Sequence, residues 1–262
     1  MTDKAENLDV DELEFTESKG LGAWLAKRDR GACVVIAARA ALRALPMVAA
    51  DLHHVDGESF FRSQIVLPVF RALAATWLHA RYPEETDGLS ALAAADAAEA
   101  VEDAAEAAVA NETASAASFA AEAADLATSV GNCASDAVAA VAAASAIYDG
   151  EFSRVFWEAI SADATQIEQG DSIPEVAASP LWPEGQPLRG VWRGLRNRLL
   201  AAKEDWQVWT DWYEDRLIGC TKDREHELCY ARLPEKLWNR GPGTVNGWIR
   251  QELAKPQDEM AS

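Results

Sequence analysis

Between Tyr82 and Ser153 the chain contains no Lys or Arg, and about half of residues 91–150 are Ala, interrupted mainly by Asp and Glu. No other feature limits the possible folds so strongly. Ala has the highest intrinsic helix propensity, so successive turns are favoured without help from neighbours. A tract without a base cannot neutralise its own carboxylates. Solvent, a basic face elsewhere in the chain or a partner must do so. Asn111-Glu112-Thr113 and Gly131-Asn132 are the natural interruptions, which predicts roughly three helices of about 18–24 residues. Val101, Val109, Phe119, Leu126, Val130, Val138, Val141 and Ile147 mark the sides that pack. Alanine faces let helices approach closely, near the lower end of the usual ~8–10 Å.

The bulk needed for a core lies elsewhere. The ten Trp residues fall outside the tract, with Trp157 just past its end, and each indole can bury on the order of 150–250 Å². Residues 21–50 predict a short helix, a break near Gly31 and a strongly apolar helix ending near Pro46. In that second helix Val34, Val35, Ala38, Leu42 and Leu45 recur at three- and four-residue steps. Glu58 to His79 reads as another helix that Pro68 should kink, because proline lacks the donor and crowds the preceding turn. After Asp149-Gly150 a helix carries Val155, Phe156, Ile160 and Ile167 inward, and a loop with several prolines follows from Ser172 to Gln186.

Trp192, Leu195, Leu199, Ala202, Trp206, Trp209, Tyr213 and Leu217 share one stripe at about 100° per residue. That stripe predicts one continuous helix of about 30 residues and some 45 Å, stopped at Gly219. A short helix around Trp238, a Gly-Pro-Gly turn and a closing helix through Val245, Trp248, Ile249 and Leu253 complete the chain. No alternating strand pattern occurs. The expectation is an all-α fold, a multi-helix array or bundle with an Ala-rich central layer and a long Trp-rich C-terminal helix. Residues 1–18 and 255–262 read as flexible tails around a single domain, 19–254. Within it, 19–86 are N-terminal helices, 87–150 the acidic Ala-rich helices and 151–254 the Trp-rich part.

The formal net charge is −19, which argues against direct binding to nucleic acid or to an anionic membrane surface. Cys33, Cys133, Cys220 and Cys229 are too dispersed for a disulfide framework. The acidic start is the opposite of a signal peptide, and Arg39 and Arg43 interrupt the best membrane-length apolar run. A cytoplasmic setting is the default.

Candidate chemistry is sparse. Trp206-x2-Trp209-x2-Trp212-Tyr213 could be an aromatic platform for a base, a sugar or a quaternary amine. It reads more simply as an anchor holding the long helix to the Ala-rich layer, with Trp212, at about 240° on the wheel, the most exposed ring. Arg189, Arg193, Arg196 and Lys203 form a basic strip that could hold a phosphate, or could pair internally with the base-free tract; surface pairs of that kind contribute about 0–1 kcal/mol each. Arg39 and Arg43 lie one turn apart on the flank of the apolar helix and could hold an anion. Cys220, His226 and Cys229 have the right types for zinc at a spacing that fits no standard finger, and His53-His54 with Asp51 and Asp56 is looser still. No phosphate-cradling glycine loop, nucleophile elbow, His-Glu-x-x-His or Glu-x-x-His occurs. No catalytic residue, metal ligand or cofactor is assigned.

The stretch from Trp206 to Leu217, Trp-x2-Trp-x2-Trp-Tyr-x-Asp-Arg-Leu, occurs together with Ala37 to Pro46, Ala-Ala-Arg-Ala-Ala-Leu-Arg-Ala-Leu-Pro. With the Ala-rich middle, these segments resemble a group of alphaproteobacterial proteins with Ala/Asp-rich helical centres, over most of Trp24 to Leu253. The resemblance implies a shared helical fold and carries over no functional residue. The functional expectation is a non-catalytic interaction or regulatory module whose acidic face docks a basic protein, with homo-oligomerisation left open. One alternative is a sensor or enzyme for a small anionic ligand, a nucleotide or phosphorylated metabolite, in a pocket of Trp192, Trp206 and Trp209 with Arg189, Arg193 or Arg39. Another is an acidic DNA mimic.

Overall fold

The computed structural model describes residues 13–49, 57–85, 133–146, 148 and 150–255. The Ala-rich tract up to residue 132, the His53-His54 pair and both chain ends lie outside the described residues. Among the described residues the fold is all-α, without strands.

Helix α1 (Ser18–Leu25) leads into α2 (Arg30–Ala44), whose first turn is capped by Asp29, its carboxylate accepting from the Ala32 N–H at 2.9 Å. The break therefore falls at residues 26–29, just ahead of the position predicted at Gly31. Every residue of α2 from Ala32 to Ala44 is buried, so the predicted stripe is in fact a helix enclosed on all sides. By length and composition Arg30–Val48 would span a membrane, yet 89% of that window is buried within the fold. It is the central rod of the core.

Around α2 pack α4 (Leu67–Arg81), α5 (Cys133–Ala146), α6 (Gly150–Glu168) and α7 (Ile173–Ala178). α5, the described end of the alanine-rich region, turns Ala137, Ala140, Val141 and Ala144 inward. Its closeness to α1 is tight enough that a Cβ on Gly22 would stand 3.2 Å from Val138. Ahead of α4 the chain runs through α3 (Glu58–Phe60) and a π-helical stretch, Phe61–Val66. The Leu67 N–H donates to the Arg62 carbonyl, five residues back, just before Pro68, which has no N–H to give. The kink expected at Pro68 is absorbed as this wider turn. Residues 13–17, placed in the tail by sequence, lie along α6: the Phe15 N–H donates to Ser161 Oγ at 2.8 Å and the Phe15 ring is buried.

The long C-terminal helix is two helices. α8 (Arg189–Ala201) and α9 (Gln207–Ile218) are separated by a turn in which Lys203 and Asp205 take left-handed φ values of 57° and 56°. Glu204 fixes the break. Its carboxylate accepts from Arg62 Nε at 2.8 Å and from Trp206 Nε1 at 2.8 Å, and its carbonyl accepts from Asn246 Nδ2 at 2.8 Å. Burial would raise the Glu204 carboxyl, but Arg62 and Trp206 outweigh that and hold it below its usual range. Two tertiary bonds and one local one thus override a favourable helical stripe. α10 (Arg224–Leu228), α11 (Glu235–Trp238) and α12 (Pro242–Leu253) follow, with α12 packed on α9.

α9 ends where the sequence indicates. Gly219 adopts φ 68°, and a Cβ there would stand 2.7 Å from both N and Cδ of Pro180 and 3.0 Å from the Ala178 carbonyl. Gly219→Ala should therefore destabilise the protein by about 3 kcal/mol or more, adding backbone collision to the left-handed cost, as denaturant unfolding would show. Lys203→Gly tests the break in the opposite sense. Relief of the left-handed conformation should leave stability unchanged or slightly raised, whereas glycine inside a continuous helix would cost about 1 kcal/mol.

Candidate functional site

The structure separates the eight candidate residues into three places. Arg39 and Arg43 are fully buried on α2 and face Asp163 of α6. Arg43 makes a two-pronged pair with the carboxylate at 2.7 and 2.9 Å, and Arg39 Nη2 stands 3.0 Å from Asp163 Oδ1. Two guanidiniums against one carboxylate leave an excess positive charge, and α7 with the loop after it takes it up with carbonyls. Arg39 donates to Val176, Ser179 and Pro180 at 2.7–2.8 Å, and Arg43 Nε donates to Leu181 at 2.7 Å. The pair expected as an anion site is thus a structural node. Burial raises the Asp163 carboxyl and depresses Arg39; the Arg39 and Arg43 charges outweigh burial at Asp163 and hold it below its ordinary range.

The loop that supplies these carbonyls was expected to be irregular but contains α7. Ser172 and Glu175 form a capping box, with Pro174 in the first turn. The Ser-x-x-Glu pattern was visible in the sequence. Its use as the acceptor of two buried arginines was not.

Trp206 and Trp209 belong to the core. Their rings pack on Phe70 of α4, with centroids 6.3 and 5.3 Å away, and Trp209 Nε1 donates to Asn246 Oδ1 at 2.8 Å. Trp212, expected to be the exposed ring, is only 2% exposed. It meets Trp77 edge-on at 6.3 Å and Tyr230 at 6.0 Å. The wheel angle holds within α9; it failed as a sign of exposure because α9 is packed on more than one face. Tyr213 points to α2, donating to the Leu42 carbonyl at 3.1 Å, while Trp212 faces α4. The anchor therefore grips Phe70 and Trp77 where the alanine layer was expected. Between Trp77 and Trp212 lies Arg216, its Cζ 3.8 Å from the Trp77 ring centroid, paired in the interior with Glu227 at 2.7 Å.

The remaining candidates converge. Arg189, Arg193, Arg196 and Trp212 line a groove of about 810 Å³ between α8, α9, α10 and α12. Its apolar lining includes Trp192, Val208, Trp212, Leu217 and Tyr230, and Arg250, Lys222 and His226 enter from the C-terminal elements. Five cationic side chains stand against three carboxylates, Asp211, Glu214 and Asp215. The acids on α9 are largely spoken for. Glu214 pairs with Arg196 at 2.9 Å and accepts from Trp192 Nε1 at 3.2 Å, and Asp215 pairs with Lys222 at 3.3 Å. Arg189 and Arg193 are exposed on the rim, and no carboxylate among the described residues pairs with either. The buried Trp212 Nε1 has no acceptor, an omission that costs on the order of 1–3 kcal/mol when nothing fills it.

The basic strip therefore pairs in part with its own hairpin partner α9, and not with the described part of the alanine-rich tract. Lys222, His226, Tyr230 and Arg250 carried no local signal for this groove, since they come from segments far from the strip. Cys220, His226 and Cys229 do not form a ligand set: no three His, Cys, Asp or Glu side chains gather at a metal-binding distance among the described residues. Asp163→Asn should cost about 3–5 kcal/mol at neutral pH, because it leaves two buried guanidiniums without their carboxylate. The native Asp163 carboxyl is depressed, so its contribution is present above the ordinary carboxylate range and fades as pH falls through the native value. The gap between wild type and Asp163→Asn in urea unfolding should narrow below about pH 4.

Comparison with protein-family models, with curated proteins and with solved structures yields no match for this chain; its function has to be read from the chemistry of the groove.

Proposed function

We propose that this protein is a non-catalytic binding module that takes a small anionic molecule, of the nucleotide or phosphorylated-metabolite class, in the groove between α8, α9, α10 and α12. The observation that carries the reading is the pair Arg189 and Arg193, one turn apart and without carboxylate partners, beside an indole-lined floor. In a chain of net charge −19, two unneutralised guanidiniums on one edge are a local reversal of sign. Guanidinium forks suit phosphate oxygens, and the exposed Ile218 with the edges of Trp192 and Trp212 gives the groove an apolar margin beside them. The volume falls within the range of roughly 300–1,000 Å³ usual for small-molecule sites.

Binding without turnover is the simpler reading, since Glu214 and Asp215 face Arg196 and Lys222 as structural ion pairs. Docking of a basic protein on the acidic tract concerns residues outside the described ones, and no observation in the groove favours it.

Isothermal titration with ATP, pyrophosphate and a sugar phosphate should reveal binding that weakens with salt. Arg189→Ala combined with Arg193→Ala should lower affinity about a hundredfold, at roughly tenfold per lost charge-assisted contact, without affecting the melting temperature. Absence of heat with all three compounds, or unchanged affinity in the double variant, would refute the proposal.

A further inference from the structure

Cys33 and Cys133, one hundred residues apart in sequence, place their sulfurs 3.1 Å from each other as free thiols. Cys33 sits on the enclosed rod α2 with no exposed surface, and Cys133, the first residue of α5, is half-buried. From this geometry we infer that the two form a peroxide-driven, reversible intramolecular disulfide that clasps α2 to α5. A disulfide needs about 2.05 Å between sulfurs, so closure requires a shift of about 1 Å at side chains already in contact.

The roles of the two sulfurs follow from access. Cys133 is reachable from solvent, and its sulfur attacks a peroxide oxygen; the O–O bond breaks, an S–O bond forms, and one water leaves as the thiol proton is taken up. Cys33 then attacks the sulfenic sulfur. The S–S bond forms, the S–O bond breaks, and hydroxide departs with the Cys33 proton as a second water. Two thiols lose two electrons to one peroxide, and nothing else is consumed. Burial, with the neighbouring Cys133, pushes the Cys33 thiol up to about 12, so it stays protonated and unreactive until a sulfenic acid forms beside it. Cys229 is also buried and raised to about 11, but its sulfur donates to the Glu225 carbonyl at 3.4 Å and faces no second thiol.

The linkage would close a loop containing most of the base-free tract, so the oxidised unfolded chain loses conformational freedom and the folded state gains in relative stability. The full-length protein, treated with hydrogen peroxide, alkylated and digested with trypsin without reductant, provides the test. The sequence has cleavage sites after Arg30, Arg39, Arg81 and Arg154 and no basic residue between the last two, so the product is one peptide of residues 31–39 joined to one of residues 82–154. Its mass should be lower by two hydrogens than the sum of the two, and dithiothreitol should release them. The oxidised protein should also melt roughly 5 °C or more above peroxide-treated Cys133→Ser, while Cys220→Ser should behave as wild type. Over-oxidised Cys133 without linkage, a bond to Cys220 or Cys229, a bond between two chains, or equal melting temperatures would overturn the inference. Mapping of the wild-type protein decides the matter even if Cys133→Ser fails to fold.

Discussion

The fold depends on how one apolar helix tolerates two arginines in its middle. α2 is enclosed by its neighbours, and a charge there would be prohibitive without compensation. Asp163 supplies the counter-charge, and α7 and the loop after it supply four carbonyls, one from Val176 and three from residues 179–181. The requirement is directional, so it fixes more than energy. α6 must bring its carboxylate, and the 176–181 segment its backbone carbonyls, to the same two guanidiniums. Hydrophobic burial alone would permit helices to slide and rotate over an alanine-rich surface that offers few knobs. The guanidinium geometry does not permit it, and a small-residue core acquires a single arrangement.

A second polar device serves the C-terminal half. Glu204 holds Arg62 and Trp206 while its backbone receives Asn246, which also accepts from Trp209. These contacts join α9, α12 and the π-helical stretch before α4. They also explain why Lys203 and Asp205 persist in a conformation that costs non-glycine residues about 1–2 kcal/mol apiece. The turn rotates α9 relative to α8, and that rotation opens the groove. An unbroken rod would have carried Arg189, Arg193 and Trp212 on separate faces.

Features governed by local periodicity were legible in the sequence. The apolar spacing of Val34 to Leu45 located α2, Phe156 and Ile160 located the inner face of α6, and Gly219 marked the end of α9. Features governed by distant partners were not. The stripe from Trp192 to Leu217 is a sound helical pattern, and only Asn246 and Arg62, far away in the chain, reveal why it is interrupted. Trp212 was misplaced for a related reason: Phe70 and Trp77, far away in the chain, cover the face of α9 that lies off its main stripe. Half of the groove was readable as a basic strip on one helix. The other half comes from Lys222, His226, Tyr230 and Arg250, which share no pattern with the strip. Arg39 and Arg43 show the converse difficulty: their spacing indicated a common partner and could not distinguish an external anion from Asp163.

Gly219 ties the two polar devices together. Pro180 touches the point from which any side chain there would grow, and the same proline gives its carbonyl to Arg39. The end of α9 is thereby wedged against the segment that solvates the buried arginines, and the helix cannot travel along its axis without tearing that segment loose. The wall bearing Trp212 is consequently a fixed mould, and a guest of the kind proposed above would have to match its outline on arrival.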